Sequence, residues 1–362
     1  MQEKFNQNIY IVFALGGFVF LSLHLISSYN TSPLWWGFDN WRFMPSLLAY
    51  IFFLTGCLSL VPRIQQLCKS WIVKLGHMST RIPLFIWLPV SGILLYVFRQ
   101  RIFLLGDGRL RIQNSESNYL FSIEEPLDTL LHTASYNLLH PHFEITGKEI
   151  YQFMSVFFGV IALWGLIYYL TGIYKKAENR WFIGGLIATS GTVQLFFGYV
   201  ESYTLVNCFS LLFLLSTLLM LKRHRLTVFP ALFLSLAVIT HPVAVLMLPG
   251  ALYAYQKVIH RNKADFSALV CWLKPAGIFV VSVLLLIIVF WSGGVKPAMF
   301  LEHYLHGSNI LPFISTKDQY GIFSLFHVVD ILNEIVLVVP ASFSLFFILS
   351  PMIKVYSKIN MD

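Results

Sequence analysis

Two acidic residues stand out in a chain that has few charges. Glu201 is the single carboxylate in the stretch QLFFGYVESYTLV, residues 194–206, and Asp107 lies between two glycines in FLLGDGRLR, residues 103–111. A charge beside a membrane core costs about 2.5–3.5 kcal/mol on insertion scales, so each carboxylate needs a partner or a function. A carboxylate held over a cavity can take a proton from a substrate or position one.

Alternatives to a functional role exist for both acids. Asp107 could be a turn residue in a salt bridge with an arginine, and Glu201 could be the solvated tip of a hairpin. Against the second reading, Tyr199 and Tyr203 flank Glu201 and no cluster of small polar residues marks an exposed turn. The arginines near Asp107 are unusual at the outer end of a span unless an anion is bound there: Arg99, Arg101, Arg109 and Arg111.

Histidines supply further candidates. His241 lies in ITHPV, and the proline after it disfavours helix, so we expect a broken helix with His241 facing a cavity. His303 and His306 have i, i+3 spacing, which is a weak metal pattern and is more typical of interfacial histidines. His327 and Asp330 share a helix face, where packing and substrate contact both remain open.

The composition is that of a polytopic membrane protein. Of 362 residues, 57% are hydrophobic and 12% are charged, whereas a soluble globule has about 25% charged residues. The mean hydropathy is +0.70. Blocks of about 20 apolar residues can cross a ~30 Å hydrocarbon core. They predict spans at 9–28, 44–62, 82–104, 150–173, 182–200, 203–221, 275–292 and 332–353, with a broken or re-entrant helix pair in 226–256.

The distribution of charge predicts the orientation. Most of the 25 Lys and Arg residues fall in 63–81, 175–180, 222–225, 257–274 and near the two termini. The positive-inside rule makes these segments and both termini cytoplasmic. Topology therefore accounts for the net charge of +8, and no nucleic-acid partner is predicted. The first apolar segment is too long for a signal peptide and lacks an A-x-A-like site, so we expect an uncleaved span.

Two long outer loops are predicted, at 105–149 and 293–331. In the first, PLDTLLHTASYNLL (126–139) places leucines on one helical face, which indicates an amphipathic helix at the outer interface. The predicted domains are an N-terminal two-span addition, residues 1–81, a catalytic transmembrane domain, 82–353, and a short cytoplasmic tail, 354–362. The four cysteines show no metal-binding spacing.

The order of these motifs resembles the GT-C glycosyltransferases, which include protein O-mannosyltransferases, the aminoarabinose transferase of lipid A and the catalytic subunits of oligosaccharyltransferase. The pattern is an acid just after a span, an outer loop with interfacial helices, and a second acidic motif two spans later. GDGRLR and GYVESY occupy these positions, and LAVITHPVAVLMLP is similar to a family stretch with a basic residue near Pro or Gly. The first motif departs from the Asp-Glu pair of some members, and His241 replaces the usual Lys or Arg.

The resemblance implies a GT-C-like bundle of about eight full spans and an inverting transfer of sugar from a polyprenyl-phosphate donor. The acceptor would be a hydroxyl of a lipid, glycan or protein at the outer face of the membrane. Asp107 would be the general base. The arginines named above and His241 would bind the departing phosphate. Glu201 would position a substrate or share a divalent ion, Mg²⁺ or Mn²⁺, with Asp107.

Two other classes compete with this interpretation. A transporter or flippase of lipid-linked substrates would carry ionisable residues within several spans and show internal symmetry. A polysaccharide polymerase or ligase would use catalytic Arg and His rather than paired carboxylates. An inactive subunit of the same fold is a third alternative. Uninterrupted spans without processing signals favour the bacterial inner membrane.

Overall fold

Helices make up the regular structure of the chain. The computed structural model describes residues 2–30, 32, 34–64, 66–67, 70–71, 74, 84–99, 107–120, 122, 124–188, 190–261, 276–284, 287–288, 291 and 324–338. The helices with defined ends are α1 (Gln2–Tyr29), α2 (Ser46–Ser59), α3 (Leu84–Val97), α4 (Gly108–Glu116), α5 (Pro126–Phe143), α6 (Gly147–Ile173), α7 (Ala177–Ala188), α8 (Tyr203–Arg223), α9 (Phe229–Thr240), α10 (Leu248–Arg261) and α11 (Leu325–Val338). No strand occurs in these described ranges, as predicted.

Four of the described segments are long and apolar enough to cross a membrane: Tyr10–Tyr29, Gly147–Ile173, Tyr203–Arg223 and Pro242–Arg261. Shorter apolar helices cover Ser46–Ser59, Ile86–Val97 and Phe229–Thr240. The prediction of an all-helical protein with membrane-length helices is confirmed for the described residues. The count of eight full spans and the GT-C-like arrangement remain predictions.

The chain divides into two compact units, Met1–His77 with Ser308–Asp362, and Met78–Gly307. Helix α11 thus groups with the N-terminal segment, whereas the sequence-based division placed it in the catalytic domain. The predicted tail, 354–362, lies outside the described residues.

A polar contact explains why α11 groups with the N-terminal unit. The indole N–H of Trp36 donates to Asp330 Oδ1 at 2.8 Å, and the N–H of Gly37 donates to Asn333 Oδ1 at 2.9 Å. The side-chain amide of Asn333 donates in turn to the Leu34 carbonyl at 3.1 Å. These bonds satisfy polar groups of α11 within the protein. Asp330 therefore has a structural partner, and its predicted role in substrate binding remains a prediction.

The close approach at Gly37 leads to a stability prediction. A Cβ at position 37 would overlap the Asn333 carbonyl and lie 2.8 Å from Asn333 Cα. We expect Gly37→Ala to lower the free energy of unfolding by about 1–3 kcal/mol through overpacking. Thermal denaturation in detergent checks this. Gly16→Ala is the matched control, because no atom lies within 4 Å of a Cβ there. Equal melting temperatures for the two variants would contradict the prediction.

Helices α6 and α8 run parallel through the core of the second unit. The rings of Phe158 and Phe209 are 5.7 Å apart, and Gly165 faces Leu212 one to two turns further along. The core of this unit is built mainly from the apolar faces of these two helices. At their far ends, the Lys222 ammonium donates to the Ile173 carbonyl. The N-terminal ends of α6 and α8 therefore lie together at the opposite end.

Helix α9 runs antiparallel to α8 and returns to that same end. Its start packs near the end of α8, since Ala231 and Met220 share one buried cluster. Leu234 packs with Phe213 in a second cluster, halfway along. Helix α9 then ends at Thr240, close to the start of α8.

Three sequence-based predictions about single elements can be compared with the structure. A helix is present where the amphipathic helix was expected at 126–139, as α5, and its position at the outer interface remains a prediction. The break before Pro242 is also confirmed, because His241 is extended (φ −151°, ψ 121°) and residues Pro242–Met247 form a 3₁₀ helix. The span predicted at 182–200 is not one helix. Helix α7 ends at Ala188, and Gly191–Phe196 form a 3₁₀ helix, with the Ser190 hydroxyl bonded to the Ile187 carbonyl at 2.7 Å.

Candidate functional site

The two predicted acids lie together at the end of the second unit where α6 and α8 begin. The backbone N–H of Asp107 donates a hydrogen bond to Glu201 Oε2 at 3.1 Å, across 94 residues of sequence. Asp107 immediately precedes α4, and one residue, Ser202, separates Glu201 from the start of α8. The contact therefore joins the two acidic motifs that the sequence indicated.

Glu201 is a buried and fixed carboxylate. Only 6% of it is exposed. One oxygen accepts the Asp107 N–H, and the other accepts the backbone N–H of Ser202 at 3.0 Å. Glu201 is therefore not the solvated hairpin tip that was the alternative, and it holds the loop that carries Asp107.

Asp107 presents its carboxylate to the outside. The residue is exposed, and its side chain does not cap α4. Its backbone carbonyl accepts the Arg111 N–H at 2.9 Å, which starts the helix. Among the described residues no salt bridge joins the Asp107 carboxylate to an arginine. The backbone of Asp107 is thus held by the protein while its acid group is accessible.

A second acid, Glu125, lies directly behind Glu201. It is 3% exposed and forms an ion pair with Arg111. The hydroxyl of Ser202 donates to Glu125 Oε1 at 2.6 Å. Burial raises the pKa of the Glu125 carboxyl, although the Ser202 hydrogen bond and the Arg111 charge oppose that shift. Arg111 is therefore paired with a buried carboxylate.

Helix α5 contributes a third acid. Asp128 is fully buried, and its Oδ2 lies 3.3 Å from His132 Nδ1. The same nitrogen is 2.8 Å from the Asp128 backbone carbonyl, one turn earlier on the helix. The His132 ring stacks on Tyr151 of α6, with centroids 3.7 Å apart and planes at 8°. The site thus has three buried carboxylates, two from the start of α5 and one from the turn before α8.

Two of the predicted arginines lie at the edge of this site. The Arg99 guanidinium stacks over the Tyr96 ring at 4.1 Å. Gly198 (φ +65°) allows Arg99 to approach the turn before Glu201, because a Cβ at Gly198 would lie 2.7 Å from Arg99 Cβ. Arg109 is exposed on the first turn of α4 and forms no salt bridge within the described part of the chain. Arg101 lies outside the described residues.

The broken helix brings His241 to the same end of the unit. Its ring centroid is 5.6 Å from that of Tyr203, the first residue of α8. His241 is half-buried, and its Nδ1 accepts the N–H of Val243 at 3.2 Å. It also lies within electrostatic range of Arg111 and Asp128. The structure therefore places Asp107, Glu201 and His241 around one region.

Four predicted site residues remain. His303 and His306 lie outside the described residues. His327 and Asp330 belong to α11 in the other unit.

The divalent ion that Asp107 and Glu201 were expected to share remains a prediction. Both oxygens of Glu201 accept N–H groups. In the part of the chain that the structure describes, no three or more His, Cys, Asp or Glu side chains form a group that could hold a metal ion. No chemical step is therefore assigned to a metal.

Sequence reasoning missed the buried half of the site. Glu125, Asp128 and His132 fall in EEPLDTLLHT, a stretch whose leucines predicted an amphipathic helix. A signal was present, because Asp128 and His132 are spaced i, i+4 and therefore share a face of α5. Thr129 and Thr133 extend that polar face, and both are buried. A polar face on a helix beside apolar spans indicates an internal polar site.

Fold and site together define a helical protein with membrane-length helices and a cluster of buried carboxylates where several helices begin or end. Comparison with protein families, with curated proteins and with solved structures finds no match to this chain.

Proposed function

We propose that this protein is a membrane glycosyltransferase that moves a sugar from a polyprenyl-phosphate donor to an acceptor hydroxyl at the outer face of the membrane. One observation carries the proposal. Asp107 is an accessible acid whose backbone is hydrogen-bonded to the buried Glu201, at 3.1 Å. A base that is accessible yet held in place is what proton transfer from an incoming hydroxyl requires.

In the proposed reaction the acceptor oxygen attacks the anomeric carbon from the face opposite the lipid phosphate. The bond between the anomeric carbon and the phosphate oxygen breaks, and the phosphate leaves with the electron pair. The acceptor proton passes to the Asp107 carboxylate. Displacement from the opposite face inverts the configuration of the sugar. Glu201 acts as a positioning residue for Asp107.

The leaving phosphate needs preorganised positive charge. Arg109 suits this role, because it is exposed two residues after Asp107 and no described carboxylate pairs with it. Arg99 and His241 lie at the edge of the same region. Arg111 is assigned to the interior instead, since it pairs with Glu125.

The proposed sidedness follows from the ends of α8. Glu201 and Ser202 precede this helix, and Lys222 and Arg223 end it. Its 21 residues span about 30 Å at 1.5 Å per residue, the thickness of a hydrocarbon core. With the basic end cytoplasmic, the acids reach the outer surface of what we propose is the bacterial inner membrane, with both termini cytoplasmic. The eight-span GT-C-like bundle belongs to the same proposal.

The test is donor turnover by the purified protein in lipid nanodiscs. Candidate polyprenyl-phosphate sugars are supplied with lipid, glycan and peptide acceptors, and released polyprenyl phosphate is measured together with the sugar on the acceptor. We expect turnover of at least one donor by wild type and by Glu144→Gln, an exposed acid at the far end of α5. Wild-type protein that moves the intact lipid-linked sugar across liposome membranes without cleaving it would show a flippase and overturn the proposal.

A further inference from the structure

The hydroxyl of Ser202 lies between two buried carboxylates. Its Oγ is 2.6 Å from Glu125 Oε1 and 3.3 Å from Glu201 Oε1. A serine hydroxyl has one hydrogen to donate. The short distance assigns that hydrogen to Glu125, in the range of a charge-assisted bond. The lone pairs of Ser202 Oγ then face Glu201 Oε1. A proton on Glu201 Oε1 would be donated to Ser202 Oγ in a hydrogen bond.

The charges around this hydroxyl do not balance. Glu125, Asp128 and Glu201 are at most 6% exposed, and their described cationic partners are Arg111 and His132. Even with His132 counted as a cation, the described groups leave one negative charge in excess. A buried and unbalanced charge is costly, and such groups usually take up a proton instead.

A proton fits the excess charge better than a metal ion does. No group of metal-binding side chains occurs in the described ranges. The oxygens nearest each other, on Glu125 and Glu201, are already bridged by a hydroxyl that can both donate and accept a proton. Burial also raises the pKa of Glu125, which is the direction that retains a proton.

We propose that Glu125 and Glu201 share one proton through the Ser202 hydroxyl, and that Glu125 and Ser202 are thereby positioning residues for Asp107. With the proton on Glu201 Oε1, the Ser202 hydrogen is donated to Glu125. With the proton on Glu125, the Ser202 hydrogen is donated to Glu201. In both forms one negative charge is removed. Glu201 Oε2 continues to accept the Asp107 N–H.

Other charged and titratable groups act on this pair from every neighbouring element. Arg111 of α4 favours ionised Glu125, whereas Asp128 of α5 and Glu201 favour its neutral form. Among the described residues, Tyr151 of α6 and Tyr203 of α8 also interact electrostatically with the pair.

The proposal predicts the direction of a pH effect. A carboxyl whose pKa is raised in the folded state stabilises the fold at low pH and loses that contribution as the pH rises through the raised value. Loss of the shared proton leaves two carboxylates facing one hydroxyl. We therefore expect the melting temperature of wild type to fall as the pH rises from the pKa of a free carboxyl toward the raised pKa of Glu125.

Infrared spectroscopy of the protein in nanodiscs tests the proton directly, because a protonated carboxyl and a carboxylate absorb at different frequencies. We expect wild type to retain a protonated-carboxyl band at pH values where an exposed carboxyl is already ionised, and to lose it as the pH rises further. Glu125→Gln should abolish that band, and Ser202→Ala should shift it, because the bridging hydroxyl is gone. Glu144→Gln, which removes an exposed acid outside the cluster, is the control that should leave the band in place. Absence of the band in wild type, or its persistence in Glu125→Gln, would overturn the proposal.

The positioning role rests on the proposed function and has a separate readout. We expect Ser202→Ala to move the alkaline limb of the transfer rate to lower pH, while its rate at the acidic side stays within about threefold of wild type. An unchanged pH profile would overturn the positioning role. If wild type transfers no sugar but shows the band, the shared proton stands and the proposed function fails.

Discussion

Asp107→Asn is expected to lower the rate of sugar transfer by about 10²–10⁴-fold, the contribution typical of a general base. The amide is nearly isosteric with the acid but cannot take the acceptor proton. The backbone N–H that bonds to Glu201 is unchanged by the substitution. The loss should therefore appear in kcat rather than in donor KM. Release of polyprenyl phosphate under saturating donor measures the effect.

The fold of Asp107→Asn should be preserved, which separates a lost base from a damaged protein. The side chain is exposed and has no described hydrogen bond, so we expect a change in stability within about 0.5 kcal/mol. Glu144→Gln, an exposed acid on the same unit, controls for loss of surface charge. Transfer at the wild-type rate by folded Asp107→Asn would assign the base elsewhere.

Arg111→Met is expected to give the largest loss of stability, about 3–5 kcal/mol, because it removes one partner of a buried ion pair. Glu125 is 3% exposed and would lose its cation while Asp128 and Glu201 remain nearby. Methionine retains the apolar volume of the arginine stem, so the effect reports mainly on charge. Denaturation in mixed detergent micelles, monitored by tryptophan fluorescence, measures the change in free energy.

Two further variants give this prediction its control. Arg109→Met removes an exposed cation from the same helix and should change stability by no more than about 0.5 kcal/mol. The double variant Arg111→Met/Glu125→Leu removes both charges and should recover much of the loss, since an apolar pair often replaces a buried ion pair at little cost. If Arg111→Met proves as stable as Arg109→Met, the pair does not hold the site together.

Several features followed from the sequence because their causes are local. Amphipathic spacing predicted α5, and the proline after His241 predicted the break between α9 and the 3₁₀ helix. Apolar blocks predicted α6 and α8, because a helix is the form that satisfies backbone groups in a hydrocarbon medium. The segment predicted as one span at 182–200 is not one continuous helix, because α7 ends at Ala188 and a 3₁₀ helix covers Gly191–Phe196.

The sequence also singled out Asp107 and Glu201, since a rare charge among apolar residues is visible without coordinates. Only the tertiary structure decided their roles within the protein, one with an accessible acid group and the other buried. The same holds for the pairing of Arg111 with Glu125 and for the bridging position of Ser202. These contacts join residues from different segments of the chain. The packing of the helices decides which side chains come within hydrogen-bond distance, and neither the spacing of residues nor their helix propensity encodes that packing.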